Sequence, residues 1–258
     1  MMESLATLIG LTTTTLAGIF LTFLRIGALM AVLPAFGERS IPERIRLVLA
    51  VALTIIVYPA IAAEVGTISL ETSSIALAIL PEVMAGLLLG LVLRLSVISL
   101  QIAGAMLAQS TSLSQIFGGA AVEAQPAIGH ILLVAGLALA VMLGLHVRVV
   151  ELVILSYEIF PVGEFLSPSD VMSWGLSHVT QSFSLAFTLS APFVIASLIY
   201  NVALGVINRA MPQLMVAFVG APAITLGGLL LLFITAPILL ETWRKSLDLL
   251  LINPFGGP

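Results

Sequence analysis

Long apolar runs that carry almost no charge constrain this chain more than any other feature. About 20 consecutive apolar residues wound as a helix cross the hydrocarbon core of a bilayer, and every backbone amide inside must be paired within its own segment. By that measure residues 5–36 form a first run, interrupted by Arg25, and residues 45–63 a second, opened by the charged turn G-E-R-S-I-P-E-R-I-R. Residues 75–93, 127–145, 183–207 and 214–240 continue the series, while 149–160 is too short to span alone. The pattern predicts an all-α, polytopic membrane-type protein of about six principal hydrophobic helices, with residues 94–125 and 149–160 as extra elements of unassigned depth.

Composition narrows the class. Hydrophobic residues make up 60% of the 258, against roughly 45–50% in a soluble globular domain, and the mean hydropathy is +1.22. The nine basic and thirteen acidic residues lie scattered between apolar runs, so no stretch is polar enough to surface a separate soluble domain. Residues 1–258 therefore read as one membrane domain. The net charge of −4 comes without a Lys/Arg cluster of the kind that grips phosphate backbones, which excludes nucleic acid as partner. Cysteine is absent, and with it disulfides, thiolate nucleophiles and Cys-based metal sites. His130, His146 and His178 follow no H-x-x-x-H or H-E-x-x-H spacing, no G-x-x-x-x-G-K-[ST] loop occurs, and no serine sits in a nucleophile elbow. The chain reads as a non-enzyme with neither cofactor nor metal. Its start, M-M-E-S-L-A-T-L, lacks the basic segment of a cleavable signal, so the first apolar run is expected to serve as its own insertion signal. The basic clusters Arg39/Arg44/Arg46 and Arg244/Lys245 fall on opposite sides after six passes, against the bias of positive charge to one side. Either a segment is re-entrant, or some helices lie outside the bilayer.

Four places depart from a plain bundle. The stretch 101–126, Q-I-A-G-A-M-L-A-Q-S-T-S-L-S-Q-I-F-G-G-A-A-V-E-A-Q-P, mixes small, amide and hydroxyl residues with Met106, Leu113, Ile116 and Phe117, and Gly118-Gly119 breaks any helix there. It reads either as a surface connection or as irregular backbone lining a cavity. Arg25, deep in the first run, costs about 2.5–3.5 kcal/mol unless partnered; it contacts another helix or subunit, or it snorkels to an interface. Glu82 follows Pro81, and a first-turn position, where proline fits and a carboxylate meets the positive end of the helix dipole, is the cheaper account. Gly86 and Gly90 form a G-x-x-x-G that allows close helix approach. Finally, N-R-A-M-P-Q-L-M-V-A-F-V-G-A-P-A-I-T-L-G-G, residues 208–228, sets Asn208, Arg209, Pro212 and Gln213 between apolar runs and adds Gly220 and Pro222 soon after. Pro212 ends or kinks the preceding helix near Met211, and a second break is expected at 220–222. A twice-broken hairpin needs neighbouring protein to satisfy its backbone.

At these residues the chain resembles the FliR/SctT family, the R-type component of the type III export gate of flagella and injectisomes. The hairpin matches the family's N-R-x-x-P-Q followed by G-x-P-x-x-x-x-G. F-L-R-I-G-A-L-M-A-V-L-P-A-F-G with I-P-E-R-I-R-L-V-L-A, and then E-V-M-A-G-L-L-L-G, agree in the same order. The N-R-A-M-P-Q form is closer to the flagellar members than to the injectisome ones. The resemblance implies a gate subunit that joins FliP-like and FliQ-like subunits, with a FlhB-like switch protein nearby, in a helical assembly of hairpins around a closed pore in the bacterial inner membrane. One R-type subunit serves each gate, unfolded export substrates pass through it, and lipids surround it. Much of such an assembly rises toward the periplasm, which would account for the conflicting basic clusters. By order along the chain, the family's plug falls on Ser110, Ser112, Leu113, Ser114, Ile116, Phe117, Gly118 and Gly119. Arg25, Glu82, Asn208, Arg209, Pro212, Gln213, Gly220 and Pro222 match positions that are structural or inter-subunit rather than catalytic. A small-solute transporter, the reading from another class, requires an internal repeat and paired intramembrane acids. Glu64, Glu71, Glu123 and Glu151 instead fall at run boundaries.

Overall fold

The computed structural model describes residues 2–37, 41–66, 72–111, 127–211 and 216–255. These residues form seven α-helices and no strand: α1 (Met2–Val32), α2 (Glu43–Val65), α3 (Thr72–Thr111), α4 (Ala127–Met142), α5 (Leu145–Ile159), α6 (Pro168–Ala210) and α7 (Val216–Ile252). Five carry segments long and apolar enough to cross a membrane, and α4 with α5 meet the same test only as a pair bent by 71°. The expected all-α polytopic architecture is the observed one.

Four expectations about local structure change. Residues 127–145 do not make one straight span: Gly144 takes a left-handed φ of 84° between α4 and α5, a conformation open to glycine and costly for other residues. The stretch beginning at Gln101 is helical as far as Thr111, because Gln, Ala, Met and Leu are good helix formers and outweigh the single glycine, Gly104. Pro81 lies inside α3 and Pro222 inside α7, so neither starts nor breaks its helix. In an apolar bundle a missing amide bond is tolerated where neighbouring groups re-satisfy the freed carbonyl. Lastly, α6 begins at Pro168, fifteen residues before the apolar run at Phe183, with proline in its first helical position and Asp170 in its first turn, both favoured there.

Helix length is itself a result. At 1.5 Å per residue, the 40 residues of α3 and the 43 of α6 extend about 60 and 65 Å, against a hydrocarbon core of roughly 30 Å. Neither helix is a simple span.

The chain divides into two compact units. The first comprises Met1–Leu95, Val141–His178 and Leu249–Pro258. Its core is built from Leu21, Ile26, Leu29 and Leu33 of α1, Val57 and Ile61 of α2, Leu89 of α3, and Val149 and Leu152 of α5. Near its carboxyl end, Trp174 Nε1 donates to the Pro254 carbonyl at 2.8 Å and His178 Nε2 lies 3.1 Å from the same oxygen, while the Phe255 ring packs edge-on against Phe160 and stacks on Trp174.

The second unit comprises Ser96–Ala140 and Val179–Asp248. Leu100, Ala103 and Leu107 of α3 are buried there, as are Leu132 of α4, Leu189 and Phe193 of α6, and Leu239 of α7. Trp243 is fully buried and donates its indole N–H to the Ser96 carbonyl at 2.7 Å. Gly136 of α4 makes room for it: a Cβ there would collide with Leu100 and stand 3.5 Å from Trp243 Cζ3. Trp243→Ala is expected to lower stability by about 3–5 kcal/mol, with Trp243→Phe losing less because only the hydrogen bond and part of the ring go. Thermal unfolding of the purified protein checks this; equal midpoints for wild type and Trp243→Ala would contradict the packing described.

Candidate functional site

Arg25 is 1% exposed, two turns before the end of α1, and its guanidinium is gripped from several sides within the first unit. Nε donates to Glu82 Oε2 at 2.8 Å and Nη2 to Glu82 Oε1 at 2.9 Å, a two-pronged pair with α3. Nη1 donates to Ser156 Oγ at 3.0 Å and Nη2 to the Phe160 carbonyl at 2.9 Å, tying in α5 and the turn after it. The Tyr157 ring lies 3.6 Å from the guanidinium carbon, a cation–π contact. Glu82 is 0% exposed and receives two further, longer contacts, from Tyr157 Oη at 3.5 Å and the Gly163 amide at 3.4 Å.

The backbone supports this arrangement. Gly86 stands one turn after Glu82, and a Cβ there would run into the Arg25 carbonyl oxygen and lie 3.0 Å from Ala28 Cβ. A Cβ on Gly90 would come within 3.0 Å of the Leu29 carbonyl. The G-x-x-x-G is thus the α1–α3 crossing, and it draws the two helices close enough for Arg25 and Glu82 to meet side-on. A buried charge without a partner is strongly unfavourable, whereas a bidentate pair with its remaining donors satisfied is tolerated. Of the readings open for Arg25, the buried helix-to-helix contact is the observed one. The first-turn role expected for Glu82 is overturned: Glu82 lies well inside α3, and its carboxylate answers Arg25 rather than a helix dipole.

At the carboxyl hairpin, α6 ends at Ala210 and the Met211 amide closes its last turn on Ile207 O at 2.8 Å. Asn208 and Arg209 are exposed on that turn, and Arg209 there complements the negative end of the helix. Pro212 and Gln213 lie outside the described residues. Gly220 is buried in the early part of α7: a Cβ on it would meet Leu204 Cδ1 at 2.9 Å, and its carbonyl accepts the Tyr200 hydroxyl at 2.8 Å. Tyr200 and Leu204 on α6 therefore staple the hairpin where a second break had been expected, while Pro222 is exposed on the continuing helix.

Ser110 sits in the last turn of α3 and donates to the Leu107 carbonyl at 2.7 Å. Ser112, Leu113, Ser114, Ile116, Phe117, Gly118 and Gly119 lie outside the described residues. No group of three or more His, Asp or Glu among the described residues is placed to hold a metal ion. Sequence reasoning missed Ser156, Tyr157 and Tyr200; the signal for the first two was a Ser-Tyr pair inside the apolar run V-E-L-V-I-L-S-Y.

The long faces of α6 and α7 are apolar and exposed. Only 11% of the most apolar window of α6 and 17% of that of α7 are buried, against 39% in α1 and 44% in α3. Phe187, Leu198, Phe233 and Ile234 are among the side chains left exposed. Such faces belong against lipid or another chain.

Residues 16–250 match the model of a family described as bacterial export proteins, family 1. Relatives include the flagellar biosynthetic protein FliR of Caulobacter vibrioides, 33% identical over 235 residues that cover 89% of this chain and 94% of that protein. FliR of Aquifex aeolicus is 30% identical over 230 residues, 87% of each chain. FliR of Escherichia coli is 26% identical over 228 residues, 85% of this chain and 84% of its own.

Replacing Glu82 by Gln strands the Arg25 charge, and the expected loss is about 3–5 kcal/mol. Tyr157→Phe keeps the ring over the guanidinium and gives up the hydroxyl's long contact with Glu82, so it is expected to cost far less than Glu82→Gln, on the order of 1 kcal/mol. Recovery of folded protein from detergent extracts ranks the variants; Glu82→Gln recovered like wild type would contradict the role given to the pair.

Proposed function

The chain belongs to family 1 of the bacterial export proteins, and on that premise we propose that it is a subunit of the flagellar type III export gate. The observation that carries this reading is the alignment with flagellar relatives along nearly their whole length, 94% of the Caulobacter protein being covered. Each of those relatives is named as a flagellar biosynthetic protein, which favours the flagellar role over the injectisome one.

In this reading the protein works without catalysis, by shape. It sits with FliP-like and FliQ-like subunits, and a FlhB-like switch protein, in the inner membrane within the basal body, and together they enclose a path for unfolded export substrates. Two features support it. Helices α3 and α6 are about twice as long as a bilayer core requires, as befits hairpins that rise out of the membrane. The exposed apolar sides of α6 and α7 suit a subunit clothed by lipid and neighbouring chains. Leu113, Ile116 and Phe117, on a Ser/Gly-rich segment, obstruct the lumen at rest, and hydrophobic contact makes the seal. An arriving substrate displaces the segment.

Asn208, Arg209, Pro212 and Gln213 at the hairpin tip face partner subunits, beyond the Tyr200–Gly220 staple. Co-expression with FliP-like and FliQ-like proteins, followed by mass measurement of the intact particle, is expected to give one copy of this chain per particle; a stable monomer with no partner bound would overturn the reading. Deleting residues 110–119 is expected to raise small-ion leakage through the assembled gate, and an unchanged leak would remove the plug role.

A further inference from the structure

Two arginines stand where α1 meets α3, and only one of them is fully answered. Along the face of α3 that meets α1, Glu82, Gly86, Gly90 and Arg94 recur every fourth residue, one turn apart. A Cβ on Gly86 would meet the Arg25 carbonyl, and one on Gly90 the Leu29 carbonyl and, at 3.2 Å, the Val32 Cβ. The two helices therefore run in step, and Arg94 arrives where α1 ends. There its Nη1 donates to the Val32 carbonyl at 3.5 Å, a long bond to the last residue of α1, where a cation complements the negative end of the helix. Arg94 is half-buried and forms no ion pair among the described residues, so most of its five N–H donors have no acceptor there. Arg25, by contrast, has Glu82, Ser156 and the Phe160 carbonyl.

Depth says what answers Arg94. From Thr72 to Arg94, α3 rises about 33 Å at 1.5 Å per residue, close to one hydrocarbon core of roughly 30 Å, and the apolar segment of α1, Thr12–Val32, ends at the same level. Helix α2 runs antiparallel to α1, since a Cβ on Gly18 would meet Tyr58 Cε2 at 2.8 Å and Val65 Cγ1 at 3.0 Å. Its start, with Glu43, Arg44 and Arg46, thus returns to the Arg94 end. Over the intervening length the outward side chains of these three helices are apolar, among them Leu16, Phe20, Ile55, Ile56, Leu77 and Leu80. At the opposite end their described residues include Glu64 and neither lysine nor arginine. Basic residues gather on the cytoplasmic side of membrane proteins, where the leaflet is anionic. We infer that Arg94 is a lipid-binding residue: steadied by the Val32 carbonyl at the end of α1, its guanidinium takes the phosphate of an anionic phospholipid. The planar fork suits two phosphate oxygens at once, and Arg44, exposed in the first turn of α2, adds to the attraction. The site requires only that α1, α2 and α3 cross a bilayer and is independent of any role in export.

The test incubates the full chain, purified with whatever partner subunits it retains, with an equimolar mixture of phosphatidylglycerol and phosphatidylcholine in detergent, and identifies bound lipid by native mass spectrometry. Wild type is expected to enrich phosphatidylglycerol, and Arg94→Gln to bind it about fivefold more weakly, the attraction of one interfacial arginine to an anionic leaflet. Glutamine can still donate to the Val32 carbonyl, so a merely structural helix cap survives that change. Arg94→Lys, which keeps the charge and loses the fork, is expected to fall between them. Arg148→Gln, at an exposed arginine already paired with Glu151 at 3.2 Å, is expected to enrich like wild type. Excess inorganic phosphate is expected to leave the lipid bound; displacement would make free phosphate the ligand and overturn the lipid assignment. Equal enrichment by wild type and Arg94→Gln overturns the site. So does an Arg94→Gln that binds lipid normally but sheds partner subunits, which would assign Arg94 to a partner's carboxylate. Should Arg94→Gln not be recovered, Arg94→Lys decides: enrichment below wild type supports the inference, and equal enrichment overturns it.

Discussion

A guanidinium and a carboxylate, each almost completely removed from solvent, hold the first compact unit in register. Arg25 on α1 and Glu82 on α3 form a two-pronged pair, and the remaining donors of Arg25 reach Ser156 and the Phe160 carbonyl. Desolvating two such ions costs several kcal/mol apiece, and mutual attraction repays this only when geometry is good and other hydrogen bonds are satisfied. The geometry depends in turn on Gly86 and Gly90, which bring α3 against the backbone of α1. In apolar surroundings, sliding one helix past the other by a turn would leave both charges unpaired, so the pair selects one register where greasy surfaces alone would permit several.

The same economy of contact recurs along α3. Its first half touches α1 through Gly86 and Gly90, and its second half touches α4 through Gly104 and receives the Trp243 indole at Ser96. By contrast α6 and α7 are held together near their junction, by Tyr200 and Leu204 on Gly220, and leave most of their apolar length uncovered. Burial is concentrated on α1 and α3 and sparse on α6 and α7, the distribution expected of a subunit that completes its outer packing with other molecules.

Much of this was legible in the sequence, because hydrophobic run length maps directly onto helices in an apolar solvent. The runs at 45–63 and 75–93 became α2 and the first half of α3, and the motif N-R-A-M-P-Q marked the end of α6. What misled was proline. Pro81 and Pro222 read as boundaries by rules learned from helices in water, yet both lie inside helices here. The reading of Glu82 failed for the same reason, since a helix start at Pro81 placed its carboxylate on the wrong partner. Local polarity misled as well: residues 101–111 carry amides, hydroxyls and Gly104, yet they remain helical. The partners of Arg25 on α5 could not be read, because nothing local in S-Y-E-I-F says that it folds back 131 residues along the chain to meet α1.

The central claim is that Arg25 and Glu82 act as one unit, and a double-mutant cycle tests it most directly. Arg25→Met, Glu82→Leu and their combination, both replacements being apolar and of similar bulk, can be compared by thermal unfolding of the complex purified with its partner subunits. Each single substitution should cost about 3–5 kcal/mol, and the double far less than their sum, because it removes both buried charges together. Losses that simply add would mean that the two side chains stabilise the protein independently, and the ion pair would not be what sets the register of α1 against α3.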